Sequence, residues 1–235
     1  MDAVNAVLGD GEMFGAAGAC PVRYEEGGAG SRVLLVTGEN AGGKSLVCRF
    51  IGQVMLRDAK AAGEALEFMR IGMEMRSKGG MACVFVFGDE SWQSTGELTA
   101  HSVLGAIRNS RERGRAHAVC LDEPDTGLSE SYQAAVGEAL AAYAADLPEL
   151  ASGLIVVSHS RPLVSRLFAL APHCMRVGDD LRPTAEWLGN GSLPCSIEDL
   201  ESLKQRSDAR FRAVSDIQAR RKAALSARAG AGNRR

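Results

Sequence analysis

The sequence predicts an α/β fold with a mostly parallel β-sheet flanked by helices. Two observations support this prediction. Short apolar runs bounded by turn residues recur along the chain, and longer helical stretches separate them. A glycine-rich segment follows the first of these runs and leads into a helical stretch. Strands that alternate with helices favour parallel pairing, because each helix returns the chain across the sheet.

Four apolar runs are predicted to be buried strands: residues 32–37, 82–87, 118–121 and 154–158. Residues 22–26 are expected to form a further strand before them. The predicted helices are residues 45–60, 64–77, 97–113 and 129–146. The pattern becomes irregular between Pro183 and Pro194. Ser196 is then expected to cap a C-terminal helix that has Glu198 and Asp199 in its first turn.

Charge is unevenly distributed along the chain, although the formal net charge is only −2. Residues 204–235 contain ten Lys and Arg against two acidic residues, a balance of +8, and the rest of the chain has a balance of −10. This pattern excludes a uniformly basic protein that coats nucleic acid. Three hypotheses stay open for the basic segment. In the first it is a solvated tail, and in the second it docks on an acidic partner or on the chain's own body. In the third it binds nucleic acid without sequence specificity.

The sequence contains no run of about 18 apolar residues, so no membrane span is predicted. Residues 1–19 have no basic segment and include acidic side chains, unlike a secretory signal. The six cysteines are scattered, without a C-x-x-C pair or a spacing that suits zinc. We therefore expect a cytoplasmic protein with reduced thiols in its core.

A glycine-rich segment after the first apolar run fits the pattern G-x-x-x-x-G-K-[ST] without a mismatch. We call this segment the phosphate loop. Its residues are Gly38, Glu39, Asn40, Ala41, Gly42, Gly43, Lys44 and Ser45. Glycines allow backbone N–H groups to surround a polyphosphate, and the following helix N-terminus adds partial positive charge. Lys44 is expected to neutralise phosphate oxygens, and the Ser45 hydroxyl is expected to bind Mg²⁺. The alternative is a chance turn before a helix.

Two adjacent carboxylates follow the predicted strand at 118–121. Asp122 is expected to hold Mg²⁺, directly or through water, and Glu123 is expected to act as general base on the attacking water. Such a pair is a weak signal alone, because solvated strand ends often contain acidic residues. Together with the phosphate loop it becomes a strong one, and we expect the two motifs to end neighbouring strands of the sheet.

His159 follows the predicted strand at 154–158. Its imidazole can donate a hydrogen bond to a γ-phosphate or contact the attacking water at neutral pH. The alternative is a surface or capping residue. His101, His117 and His173 have no comparable setting, so they are expected to be structural.

The order of these motifs resembles an ABC-class ATPase. The matching segments are GENAGGKS at 38–45, STGE at 94–97, LDEP at 121–124, DTGL at 125–128 and SHS at 158–160. They are more similar to the soluble branches of DNA metabolism (RecF-like, SMC-like, MutS-like and overcoming-lysogenization-defect types) than to transporter subunits. The resemblance covers about residues 30–180 and includes no mismatch-reading, coiled-coil or nuclease domain.

The resemblance implies that a signature loop of one subunit covers the ATP bound by a second subunit. Ser94, Thr95 and Gly96 would form that loop, and Asp125 would lie at the dimer seam. The segment departs from the usual Leu-Ser-Gly-Gly pattern. The alternative is a capping motif in which Ser94 and Glu97 only bracket the start of a helix.

The resemblance also implies an aromatic residue that stacks on adenine, upstream of the phosphate loop. Phe14 and Tyr24 are the candidates, and each is equally compatible with ordinary packing. A glutamine that couples the nucleotide site to a helical lobe is not identified. Gln53 and Gln93 are the two residues considered for that role.

Taken together, these features predict an ABC-type ATPase domain at 1–190, a helical appendage at 191–228 and a flexible basic tail at 229–235. The expected activity is Mg²⁺-dependent ATP hydrolysis by a homodimer that holds ATP at its seam, in DNA metabolism or on behalf of a partner protein. Three alternatives are a transporter motor subunit, a non-hydrolysing ATP-dependent assembly module and a monomeric P-loop kinase or other NTPase.

Overall fold

The computed structural model describes residues 2–72 and 94–232. The strands within these residues are β1 (Val22–Glu25), β2 (Val33–Gly38), β3 (Glu67–Gly72), β4 (His117–Asp122), β5 (Ala151–Val157) and β6 (His173–Val177). The helices are α1 (Asp2–Gly9), α2 (Gly11–Phe14), α3 (Lys44–Ala61), α4 (Thr95–Glu112), α5 (Glu130–Ala145), α6 (Arg161–Phe168), α7 (Thr184–Asn190) and α8 (Ile197–Gly232). Within residues 2–72 and 94–232, no helix combines the length and the apolar character that a membrane crossing requires.

The six strands form one sheet in the order β1-β6-β2-β5-β4-β3. Only β1 pairs antiparallel, and the other neighbours pair in parallel. The predicted α/β class with a mostly parallel, helix-flanked sheet is confirmed. The strand that leads into the phosphate loop, β2, is separated from β4 by β5. The expectation that these two motifs end neighbouring strands is therefore wrong, because β5 inserts between them along the sheet.

One predicted helix is a strand. Residues 64–77 were expected to be helical, but Glu67–Gly72 form β3 and pair in parallel with β4 along its whole length. Glu, Met and Arg in this segment favour a helix locally, and the open edge of β4 overrides that preference. The predicted strand at 82–87 lies outside the described residues.

Alternate side chains of the central strands serve two separate cores. On one face, Leu35 and Val156 pack with the helices α4 to α7, and Trp187 closes this layer. On the other face, Val36 and Val157 pack with α1, α2, α3 and α8. This alternation follows from the period of two in a strand, and it explains why the central strands read as unbroken apolar runs.

The C-terminal helix begins as predicted. Ser196 accepts a hydrogen bond from the Asp199 N–H at 3.1 Å, and the Asp199 carboxylate accepts one from the Ser196 N–H. The helix continues to Gly232, although the segment after residue 228 was expected to fray. The side chains of Val214 and Ile217 on α8 are buried against the body, the part of the described chain that precedes α8.

Arginines of α8 form ion pairs with the N-terminal region of the same chain. Arg221 donates to the Asp10 carboxylate at 2.6 Å and 2.8 Å, and it also donates to Glu12 at 3.1 Å. Arg220 donates to Glu12 as well. Among the three hypotheses for the basic segment, docking on the chain's own body therefore describes these arginines.

These ion pairs make the docking of α8 dependent on pH. The hydrogen bond from Arg221 lowers the pKa of Asp10, and the hydrogen bonds from Arg220 and Arg221 lower the pKa of Glu12. A carboxyl group whose pKa is depressed in the docked state favours that state fully above its ordinary pKa, 3.8 for Asp10. This contribution is lost as the pH falls through the lower, docked-state value.

Replacement of both acidic partners should loosen α8. In the double variant Asp10→Asn and Glu12→Gln, we expect limited proteolysis to cleave α8 about two to five times faster than in the wild type, the effect expected of surface ion pairs. Asp208→Asn is the matched control, because Asp208 pairs with Lys204 within the helix and not with the body. Equal cleavage rates for all three proteins would contradict this docking role.

Candidate functional site

The register of three parallel strands brings the predicted motifs to one edge of the sheet. Val157 of β5 is paired with Val36 of β2 on one side and with Asp122 of β4 on the other. The phosphate loop, His159 and Glu123 follow these three strand ends within a few residues. The candidate site therefore lies at the carboxyl edge of the sheet, where ligands bind in open α/β folds.

The phosphate loop depends on glycine at two positions. Gly38 has φ 144° and a Cβ there would lie 1.9 Å from the Val177 carbonyl oxygen, whereas Gly43 has φ 104° and a Cβ there would lie 2.7 Å from Cys20 Sγ. Ala41, between them, also adopts a left-handed φ of 58°. Only glycine takes up such conformations without steric cost, so the loop is held in its curved shape by these residues.

Lys44 is buried at the start of α3. Its Nζ donates to the carbonyl oxygens of Gly38 at 3.1 Å and Glu39 at 2.9 Å. Burial lowers the pKa of Lys44, while the nearby carboxylates of Glu123, Asp122 and Asp125 raise it. The ammonium group is therefore partly desolvated, and an added anion such as a phosphate would stabilise it strongly.

Ser45 and Asp122 meet, as the sequence predicts for a magnesium site. The Ser45 hydroxyl donates to Asp122 Oδ2 at 3.1 Å, and Arg70 of β3 donates to the same oxygen. Asp122 Oδ1 is buried without a hydrogen-bond partner among the described residues. A buried carboxylate oxygen without a partner costs free energy unless a cation or donor satisfies it, so this pair fits Mg²⁺.

Arg70 is a residue that sequence reasoning missed. It belongs to the segment that was expected to be helical, so no pattern connected it with Asp122. Parallel pairing of β3 with β4 places Gly72 beside Asp122 and brings the Arg70 side chain to the carboxylate.

Glu123 leaves β4 in a strained conformation. Its φ is 55°, and its N–H donates to the Val157 carbonyl oxygen at 2.9 Å, which extends the pairing between β4 and β5 by one residue. A left-handed φ outside glycine costs about 1–2 kcal/mol and needs support from its surroundings. Glu123 Oε1 lies 3.7 Å from His159 Nδ1, and both side chains are partly exposed.

Asp125 does not lie at an exposed seam. The resemblance placed it between two subunits, but its side chain is buried and accepts a hydrogen bond from Ser158 Oγ at 2.8 Å. Burial raises the pKa of Asp125, and the Ser158 bond opposes that effect. Asp125 therefore connects the loop after β4 with the loop after β5 inside one chain.

Ser94 and Glu97 form a capping box. Ser94 Oγ accepts from the Glu97 N–H at 3.3 Å, and the Glu97 carboxylate accepts from the Ser94 N–H at 2.7 Å. Thr95 and Gly96 pack against Gly127 in the loop after β4. These residues do not line the cavity at the phosphate loop of their own chain. The capping interpretation describes them within one chain, and contact with a second subunit stays a prediction.

The two aromatic residues proposed for adenine stacking pack elsewhere. Phe14 is buried and meets Phe50 edge-on, with ring centroids 5.1 Å apart. The Tyr24 hydroxyl donates to His173 Nδ1 at 2.8 Å. Neither side chain lines the cavity at the phosphate loop, so the alternative of ordinary packing describes both. The sequence suggested these two residues only because they precede the loop. In the structure Phe14 packs in the core, and Tyr24 contacts His173 of β6.

The cavity beside the phosphate loop has a volume of about 530 Å³. Its walls include the loop, the start of α3, Gln53 and the middle of α8. A larger cavity of about 660 Å³ lies at the opposite edge of the sheet, where β2, β4 and β5 begin. We assign the functional site to the smaller cavity, because the buried Lys44 and the N-terminus of α3 are there.

Two glutamine side chains near the site have defined positions. Gln133 of α5 accepts from Ser160 Oγ at 2.7 Å and donates to the Leu128 carbonyl oxygen, so it joins the loop after β4 to the loop that contains His159. Gln53 lies on α3 facing the cavity, and Gln93 lies outside the described residues. Within the described ranges, no group of three or more His, Cys, Asp or Glu side chains could hold a metal ion alone.

No protein-family model matches the sequence. No curated protein matches it either. Among solved structures, the chain is similar to the Orc1 protein of Aeropyrum pernix, determined in complex with DNA, with 19% identity and a TM-score of 0.35. The match covers 74% of this chain and 43% of that chain, so this chain spans less than half of that protein's length.

Removal of the Lys44 charge should weaken nucleotide binding while the fold persists. For Lys44→Met we expect ATP affinity, measured by isothermal titration calorimetry, to fall about 10- to 100-fold, because a charge-assisted hydrogen bond to phosphate is lost. Lys60→Met is the control, since Lys60 is exposed at the other end of α3. If both variants bind ATP like the wild type, Lys44 does not contact phosphate.

Proposed function

We propose that this protein is a P-loop ATPase that hydrolyses ATP at the carboxyl edge of its sheet. The observation that supports this most is the meeting of three predicted motifs at the ends of β2, β4 and β5. A buried lysine, a serine–aspartate pair and a glutamate–histidine pair lie together at this edge of the sheet, and Lys44, Ser45 and Glu123 line the cavity there. A chance glycine-rich turn would not require the other two pairs beside it.

In this proposal each residue has one role. The amides of residues 38–45 and the Lys44 ammonium bind the β- and γ-phosphates. Glu123 accepts a proton from the attacking water, and its partly exposed position leaves room for that water. His159, 3.7 Å from Glu123, contacts the γ-phosphate or the water and so distinguishes the two nucleotide states.

Ser45 and Asp122 would hold Mg²⁺ with oxygens of the bound nucleotide. The metal would neutralise developing charge on the phosphates. Arg70 keeps the Asp122 carboxylate in place through the contact with Oδ2, which leaves Oδ1 available.

The finer proposal is an ABC-class switch in which two chains close on ATP and separate after hydrolysis. Ser94 and Thr95 support it, because both are exposed and Thr95 packs beside Gly127 in the loop that follows Glu123. Such a switch would act in DNA metabolism or drive a partner protein. The assembly module and the monomeric P-loop kinase are alternatives that the following experiment separates, and the transporter motor is a third alternative.

Glu123→Gln should trap the ATP-bound state. We expect steady-state turnover to fall about 100-fold or more, because the general base is lost while ATP still binds. Size-exclusion chromatography of this variant with Mg-ATP should show a dimer, and without nucleotide it should show a monomer. Glu130→Gln is the control, since Glu130 is exposed in the first turn of α5.

Each outcome separates one alternative. A Glu123→Gln variant that binds ATP and stays monomeric contradicts the nucleotide-switched dimer and favours a monomeric NTPase. A wild-type protein that dimerises on ATP without any turnover supports the assembly module. No ATP binding by the wild type contradicts the whole proposal.

The proposal includes contact with nucleic acid only through basic side chains of α8 that form no ion pair with the rest of the chain. Arg212 and Lys222 are exposed and form no ion pair among the described residues.

If these two basic side chains bind phosphates of DNA, the double variant Arg212→Gln and Lys222→Gln should have a lower affinity for DNA. The dependence of the logarithm of that affinity on the logarithm of the salt concentration should become shallower by about two. Lys60→Gln serves as control. An unchanged salt slope, measured by fluorescence anisotropy, would remove α8 from nucleic-acid binding.

A further inference from the structure

We propose that α8 forms the nucleoside side of the nucleotide site, with the base stacked on Phe211. This inference rests on the proposed binding of ATP by the phosphate loop. It replaces the upstream aromatic residues, since Phe14 and Tyr24 pack elsewhere, and it gives the C-terminal helix a direct role in the binding of nucleotide.

Arg210 fixes α8 against the phosphate loop. Its Nη1 donates to the Gly42 carbonyl oxygen at 2.7 Å, and its Nη2 donates to Asp179 Oδ1 at 2.6 Å. The Arg210 side chain is only 17% exposed and Asp179 is 59% exposed, so the contact with Gly42 is the better shielded of the two. Phe211, the next residue of α8, lines the cavity beside the loop.

Phe211 is an exposed aromatic residue beside the phosphate loop. Its side chain is 73% exposed although Val214 and Ile217, on the same helix, are buried. Phe211 nevertheless lines the cavity at the phosphate loop, together with Val214, Ser215 and Gln218. These positions follow the spacing i, i+3, i+4 and i+7, so they form a single stripe along α8 that faces the cavity.

The chemistry of the cavity suits a base and its ribose. The exposed face of an aromatic ring stacks on a nucleobase, a contact of a kind worth about 5- to 150-fold in affinity. Gln53 of α3 and Gln218 of α8 each have an amide that can donate and accept hydrogen bonds at the edge of a base. The volume of about 530 Å³ is in the range of small-molecule sites.

One consequence is that occupancy of the nucleotide site would be transmitted to α8. Arg210 contacts the phosphate loop, and Phe211 would contact the base, so both contacts depend on the same ligand. A helix of 36 residues is about 54 Å long. Movement at its middle would therefore displace the ends of α8.

The experiment compares ATP with inorganic tripolyphosphate, which has the phosphates and no base. For Phe211→Ala, we expect calorimetry to show ATP affinity reduced about 5- to 150-fold and tripolyphosphate affinity unchanged. Leu225→Ala is the matched control, since Leu225 is a 67% exposed apolar residue of the same helix outside the cavity. It should bind both ligands like the wild type.

The other outcomes are distinct. Unchanged ATP affinity in Phe211→Ala overturns the stacking proposal and leaves the ATPase proposal intact. Equal losses for ATP and tripolyphosphate show that Phe211 only supports the loop, which also overturns it. A wild-type protein that binds neither ligand contradicts the proposed function itself.

A second variant provides a direct signal. In Phe211→Trp, ATP should quench tryptophan fluorescence beyond the change seen in the wild type, and tripolyphosphate should not. Identical responses of Phe211→Trp and the wild type to ATP would place the base away from α8.

Discussion

The parallel pairing of β5 with β2 and β4 is the constraint on which the rest of this structure depends. The pairing aligns Val36, Val157 and Asp122 in one row, so the chain turns into three loops at the same level of the sheet. A shift of one residue in either pairing would reverse the faces of the side chains. A shift of β4 against β5 would also separate Glu123 from His159. The two cores on either side of the sheet resist such a shift, because each strand fills both of them.

Strained backbone conformations are concentrated in the loops that follow β2 and β4. Ala41 and Glu123 are two of the three described non-glycine residues with positive φ, and both border the cavity at the phosphate loop. Backbone conformations of this kind persist only when neighbouring hydrogen bonds hold them. The bond from the Glu123 N–H to Val157 does so for the carboxylate. The stability of the sheet thus supports the geometry of its edge.

Charge follows the same arrangement. The body is acidic, and part of that acidity surrounds Lys44 through Asp122 and Glu123. This mixture of charges suits the proposed ligand, a polyphosphate bound together with a metal ion. Arginines of α8 return positive charge to the body at the phosphate loop and at the N-terminal region. The basic segment and the acidic body are therefore partners within one chain, and the excess positive charge available to other polyanions is smaller than the sequence suggests.

The sequence by itself determined the fold class and the phosphate loop, since alternating apolar runs and the segment from Gly38 to Ser45 depend on local spacing. Only the tertiary structure decided which partners meet at the site. Arg70 reaches Asp122 because β3 pairs at an edge where local propensity favours a helix. Phe211 lines the cavity although it lies more than 160 residues from the loop in sequence. Periodicity describes neighbours along the chain, whereas strand order and helix docking depend on burial over the whole molecule.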